Sequence, residues 1–172
     1  MHGAEIWDPD TEQWTVVNAQ HSVPRTYHST AVLLKDGRIL LGGGGLCGGC
    51  SVNHADAQIF SPPYLFNSGG SLAPRPTISP NTESVAVGGS LTVTSSQPLS
   101  MLSLIRYSSV THSTNTDQRR IELCGPNFGA CGPSPATVQL PSNGGIMMRG
   151  YYMLFGVNLA GVPSVATSVL VT

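Results

Sequence analysis

Tyr27 and His28 stand side by side in the run Arg25-Thr26-Tyr27-His28, and a further histidine, His112, lies far down the chain. Imidazole nitrogens and a phenol oxygen suit Cu(II) in a roughly square arrangement. Adjacent residues on an extended segment point to opposite faces, so Tyr27 and His28 can share one ion only if a turn or bulge re-aims one of them. A glycine cluster, Gly42-Gly43-Gly44-Gly45, follows the next hydrophobic run and would let backbone approach closely there. The same pair also fits a plainer role, with one ring packed and one imidazole solvated. His54 and Asp56 have ligand chemistry, but bracing of the glycine loop suits them better. Asp117, Arg119 and Arg120 are read as shaping the His112 loop through charge-assisted hydrogen bonds.

The four cysteines form two local pairs, Cys47 with Cys50 and Cys124 with Cys131. An even count in a chain with only 10% charged residues favours an oxidising, extracellular setting and two short-loop disulfides. A four-thiolate zinc site is the rival, and the long gap between Cys124 and Cys131 counts against it. A redox-active Cys47-Gly-Gly-Cys50 normally opens a helix, and the residues that follow are poor helix formers.

The elements that must position these groups are strands. Twenty Gly and thirteen Pro among 172 residues, with many Ser and Thr, point to short strands and turns. A net charge of −1 gives no electrostatic case for nucleic acid or an acidic membrane surface. No apolar run approaches the ~20 residues of a membrane span. No leader is read at the N-terminus, where Met1-His2-Gly3-Ala4-Glu5 runs straight into a strand pattern.

Ala4–Trp7 and Trp14–Val17 flank the turn Asp8-Pro9-Asp10-Thr11, and Ser29–Leu34 and Arg38–Leu41 flank Lys35-Asp36-Gly37. Ala57–Phe60 adds a strand. Residues 1–62 therefore read as the last part of a kelch-like β-propeller, about one and a half blades, whose apolar faces need cover. Residues 63–80 read as a Pro/Gly/Ser-rich connector. Seven strands are predicted beyond it: Ser84–Val87, Ser90–Thr94, Leu99–Tyr107, Arg119–Leu123, Thr137–Leu140, Tyr151–Val157 and Ala166–Val171. They make residues 81–172 an immunoglobulin-like antiparallel β-sandwich, with Tyr151–Val157 a central strand. The fold class is all-β.

Several blocks carry a resemblance: Tyr27-His28-Ser29, Asp36-Gly37-Arg38, Gly42 to Cys50, Asn53 to Phe60, Thr111 to Arg120, and Gly161 to Ala166. Together, and in this order, they resemble the C-terminal part of the galactose oxidase and glyoxal oxidase family of copper radical oxidases. The resemblance implies a propeller followed by an immunoglobulin-like domain that sends a loop into the propeller channel. It implies copper held by Tyr27 as axial ligand, with His28 and His112 equatorial, and a Cys47–Cys50 disulfide. Tyr27 is then the general base in oxidation of a primary alcohol, a sugar among them, to an aldehyde with release of hydrogen peroxide. The family's cysteine-linked tyrosyl radical has no match in this chain, so the upstream propeller portion is the implied partner. A disulfide between Cys124 and Cys131 is inferred from proximity alone. Three functions fit: the C-terminal part of such an oxidase, inactive alone; a non-catalytic copper-binding or structural fragment; or a carbohydrate- or protein-binding β module.

Overall fold

The computed structural model describes residues 3–45 and 53–172. Cys47 and Cys50 lie outside the described residues. The chain opens with β1 (Gly3–Asp8) and β2 (Gln13–Gln20), a hairpin in which Trp7 faces Trp14 across the strands. A separate three-stranded antiparallel sheet follows, made of β3 (Ser29–Leu33), β4 (Ile39–Gly43) and β5 (Ala57–Phe60) in sequence order. Residues 35–37 join β3 to β4. The Leu34 N–H donates to the Arg38 carbonyl, and Gly37 takes the left-handed conformation (φ 79°) that closes such a three-residue loop. Ala31, Ile39, Leu41 and Ile59 line an open cleft of about 710 Å³ between this sheet and β1. Among the described residues of this half, no sheet has four strands.

The segment expected as a connector over 63–80 is only partly one. Pro63–Leu65 forms a single 3-10 turn, and β6 (Ile78–Pro80) is a strand of the sandwich. Proline cannot donate to a ladder, which is why the segment reads as linker. Pro80 is tolerated because β6 is an edge strand and Pro80 its last residue.

The remaining strands are β7 (Ser84–Val85), β8 (Ser90–Ser95), β9 (Leu99–Arg106), β10 (Val110–Thr111), β11 (Thr114–Asn115), β12 (Arg120–Cys124), β13 (Ala136–Gln139), β14 (Gly150–Asn158) and β15 (Thr167–Val171). One sheet runs β12-β9-β14-β15-β7 and faces a second, β13-β8-β6. Leu91, Val93, Leu102, Leu104, Tyr152, Leu154 and Val169 fill the space between them, all fully buried. As predicted, the strand around Tyr151–Val157 is central: β14 lies third of five, and Tyr152 to Gly156 are buried without alternation.

That unbroken burial means both faces of β14 are covered. Its outward residues Met153 and Phe155 pack with Ala166, and Leu33 of β3 joins them. The β3–β4 hairpin thus docks on the outer face of the five-stranded sheet. Polar contacts fix the dock. The Arg75 guanidinium donates to three backbone carbonyls, Asp36 (2.7 Å), Pro163 (2.8 Å) and Ser164 (2.6 Å). Desolvation holds the Arg75 pKa below its usual value. The Tyr64 hydroxyl donates to the Gly37 carbonyl (2.6 Å), and the Ala166 N–H to that of Lys35 (2.8 Å). Cys124 and Cys131 are joined in a disulfide at the end of β12. Among the described residues, no helix is long and apolar enough to cross a membrane.

Candidate metal centre

Tyr27 and His28 occupy a tight turn that opens β3. The Ser29 N–H donates to the Thr26 carbonyl (3.0 Å), and His28, third of the four residues, has φ 61°. Positive φ at the third position only is the signature of a type II turn, where glycine or asparagine is usual. The bend the sequence required is present, and its effect is to bring both side chains to one side. The two rings lie 3.9 Å apart between centroids, tilted by 36°.

The glycine run cradles this turn. The Gly45 N–H donates to the Tyr27 carbonyl (2.6 Å). A Cβ on Gly43 would lie 2.9 Å from the His28 carbonyl oxygen, so only glycine fits there. Arg25 closes the cradle from behind. Its guanidinium, almost wholly buried, donates to the Gly43 carbonyl (2.8 Å) and forks onto both carboxylate oxygens of Asp56 (3.1 and 3.3 Å). The hydrogen bond from Arg25 holds the Asp56 carboxyl below the usual carboxylate range. The His54 N–H donates to the Gly44 carbonyl (2.9 Å). The bracing role expected of His54 and Asp56 is what these contacts perform.

His112 arrives on a different element. The connection from β9 to β12 rises into the small hairpin β10–β11, and His112 and Ser113 are its two loop residues. Both have positive φ, 53° and 64°, the pattern of a type I′ turn that normally takes Asn-Gly. At the hairpin's root the Arg106 Nε donates to Asp117 (2.6 Å), while Asn115 Oδ1 accepts from the Ser109 and Asp117 N–H groups. Asp117 therefore does shape the loop. Arg119 and Arg120 do not: Arg119 donates to the Gly145 and Ile146 carbonyls, and Arg120 turns to Glu122 and Met101.

At the tip, His112 Nε2 lies 3.0 Å from His28 Nε2, across a separation of 84 residues. The outer nitrogen of each ring is already engaged. His28 Nδ1 is 3.1 Å from the Gly45 carbonyl oxygen, which can only accept, so the proton sits on Nδ1 and Nε2 is left with its lone pair. His112 Nδ1 is 2.7 Å from the Thr111 hydroxyl, which can donate to it and so leave His112 Nε2–H to donate to His28 Nε2, or can accept from it when a metal takes Nε2. Outer partners of this kind orient metal-binding imidazoles. At imidazole–metal bond lengths of about 2.0–2.1 Å, nitrogens 3.0 Å apart subtend roughly a right angle, as neighbouring ligands of a square site do. The Tyr27 ring completes the cluster, 5.3 Å from that of His112 and half exposed. The spacing of the two imidazole nitrogens suits a metal ion bound at these lengths, and the Tyr27 ring lies beside them. Among the described residues, no group of three His, Cys, Asp or Glu could hold a metal ion.

Ser29 and Ser113, which hold the hairpin tip to the turn, carry no signal that singles them out in the sequence. Four other tyrosines take no part. The hydroxyls of Tyr64, Tyr107 and Tyr152 bond to Gly37, Ser168 and Met148, and Tyr151 is exposed on β14.

A family profile described as the galactose oxidase-like early set domain matches residues 75–171. Over 169 residues the chain is 50% identical to a galactose oxidase of Gibberella zeae, covering 98% of this chain and 24% of that protein. It is 36% identical over 157 residues to the aldehyde oxidase GLOX of Vitis pseudoreticulata, covering 84% of this chain and 29% of that protein. Among solved structures, a fungal alcohol oxidase of the AA5 family, in complex with copper, superposes with a TM-score of 0.89 at 44% identity. That match covers all of this chain and 36% of the other. The chain therefore spans about a quarter to a third of the length of the proteins it matches.

Proposed function

This chain belongs to the galactose oxidase-like family, and on that premise we propose that it supplies the copper-holding portion of a secreted copper radical oxidase. In this reading residues 1–62 are the end of a kelch-type propeller and 81–172 the immunoglobulin-like domain, with β6 at the end of the 63–80 connection belonging to that domain. The observation that carries it is the pair of Nε2 atoms 3.0 Å apart, with His28 held in the tautomer that leaves its inner nitrogen bare. Copper bound there would supply one-electron redox chemistry and Lewis acidity, with His28 and His112 the residues that would hold it. Tyr27, on the open side of the cluster, takes the hydroxyl proton of a primary alcohol onto its phenolate oxygen. The overall conversion removes two electrons and two protons from the alcohol and delivers them to dioxygen, giving an aldehyde and hydrogen peroxide.

The second oxidising group, a cysteine-linked tyrosine, falls to residues outside this chain. That assignment is supported by the engaged hydroxyls of Tyr64, Tyr107 and Tyr152 and by the Cys124–Cys131 bond. The apolar cleft between β1 and the β3–β5 sheet supports further blades stacking there. The disulfide supports an oxidising compartment.

Titration of the metal-free chain with Cu(II), followed by calorimetry and electron paramagnetic resonance, should reveal one site with nitrogen ligation. That site should vanish in His28→Ala, His112→Ala. A site that survives both changes, or none in the parent chain, would overturn the reading. Peroxide release from this chain alone with a primary alcohol would overturn the division of labour.

A further inference from the structure

Two imidazoles carried by separate sheets stand 3.0 Å apart, and before any metal binds, contacts within the chain must set that spacing. The hairpin β10–β11 is joined by only two residue pairs, Val110 with Asn115 and Thr111 with Thr114. A two-stranded hairpin is marginal in water by itself, and two left-handed non-glycine residues at the tip add strain. Its root is anchored through Asp117 and Asn115, which sets the direction of the hairpin but not the position of its end.

The end is held by Ser113. Its N–H donates to the Ser29 carbonyl (3.0 Å), and its hydroxyl donates to the Thr26 carbonyl (3.3 Å). With that proton committed, the Ser29 hydroxyl donates to Ser113 Oγ (3.0 Å). Thr26 and Ser29 are the first and last residues of the turn that displays Tyr27 and His28, and the Thr26 carbonyl also closes that turn. Ser29 is buried, so water competes little for its hydroxyl. Apart from the His112 ring, whose Nε2 meets that of His28, the tip's hydrogen bonds across the gap run to the frame of the opposing turn.

We propose that Ser29 and Ser113 are positioning residues, a hydroxyl latch that sets the spacing of the His28 and His112 imidazoles before any metal binds. Its service to a metal rests on the copper reading; the latch itself is a property of the metal-free chain and is tested there.

Ser29→Ala removes one hydroxyl without altering residue 113. Ser113→Gly removes the other and suits the left-handed backbone of the tip. In the metal-free parent chain, nuclear magnetic resonance should show a contact between the ring protons flanking Nε2 of His28 and His112, and slow exchange of the Ser113 N–H. Both variants should lose the ring contact, and Ser29→Ala should speed Ser113 exchange at least tenfold. Cu(II) affinity should fall about tenfold in each, the range seen for residues that orient metal ligands. The double variant should lose little more than Ser113→Gly alone, because that change already removes the bond that Ser29→Ala removes. The copper resonance should shift, while the unfolding midpoint of the sandwich stays where it was.

Retention of the ring contact and of slow exchange in both variants would overturn the latch. Loss of both, in a chain whose parent binds no Cu(II), would uphold the latch and overturn the copper reading instead.

Discussion

His28, His112 and Ser113 all hold left-handed backbone conformations that cost a non-glycine residue about 1 kcal/mol or more each. At His112 the type I′ position favours asparagine, which tolerates the left-handed region and keeps a polar tip. Substitution His112→Asn should therefore separate stability from metal binding. Its unfolding free energy should be unchanged or higher by about 0.5–1 kcal/mol, read from thermal melts, while the Cu(II) site disappears from the calorimetric titration. A stable protein with a lost site would mean the histidine is retained for its nitrogen and not for the turn. A drop in stability would mean that the ring packs in a way its exposure does not suggest.

The docking of the β3–β4 hairpin on the five-stranded sheet decides whether the two histidines meet at all. Arg75 is its polar centre, bonded to carbonyls on both sides of the seam. Arg75→Met keeps much of the side chain's bulk and leaves three carbonyls without that donor. It should cost about 2–4 kcal/mol in urea unfolding and weaken Cu(II) binding as the turn drifts from the hairpin. Unchanged copper affinity in a destabilised variant would show that the seam is not what aligns the site. Most strands on either side of this seam were legible in the sequence, because β-branched and apolar runs bounded by Asp-Gly, Asn or Pro leave little choice. β6 was not, since the prolines that mask it are harmless only at an edge. The Tyr-His pair showed that a bend was needed, while nothing in His112-Ser113 announces a turn that prefers Asn-Gly. The link between His28 and His112 came from family resemblance, and the serines between them from geometry alone.

Across the whole molecule, the Cys124–Cys131 bond closes a short loop at the end of β12 away from the His112 hairpin. Replacing both with serine should lower unfolding free energy by about 2–3 kcal/mol, the loop-closure value for a ring this small. Denaturant melts would measure that loss, and Cu(II) affinity should not follow it. A parallel fall in affinity would mean that the sandwich and the site unfold as one unit. The docking seam has a further consequence in the order of events as the chain matures. If copper binds as proposed, a chain whose turn and hairpin have not yet met would offer an incoming ion only Tyr27 and His28, a weaker set than the three groups together. On the copper reading, capture would be a late step that succeeds best on correctly joined molecules. It would favour the joined state by mass action, about 2.7 kcal/mol when the free ion stands at a hundred times its dissociation constant. Loading with metal would then be a checkpoint on assembly, and the heat stability of a preparation a gauge of how many molecules have passed it.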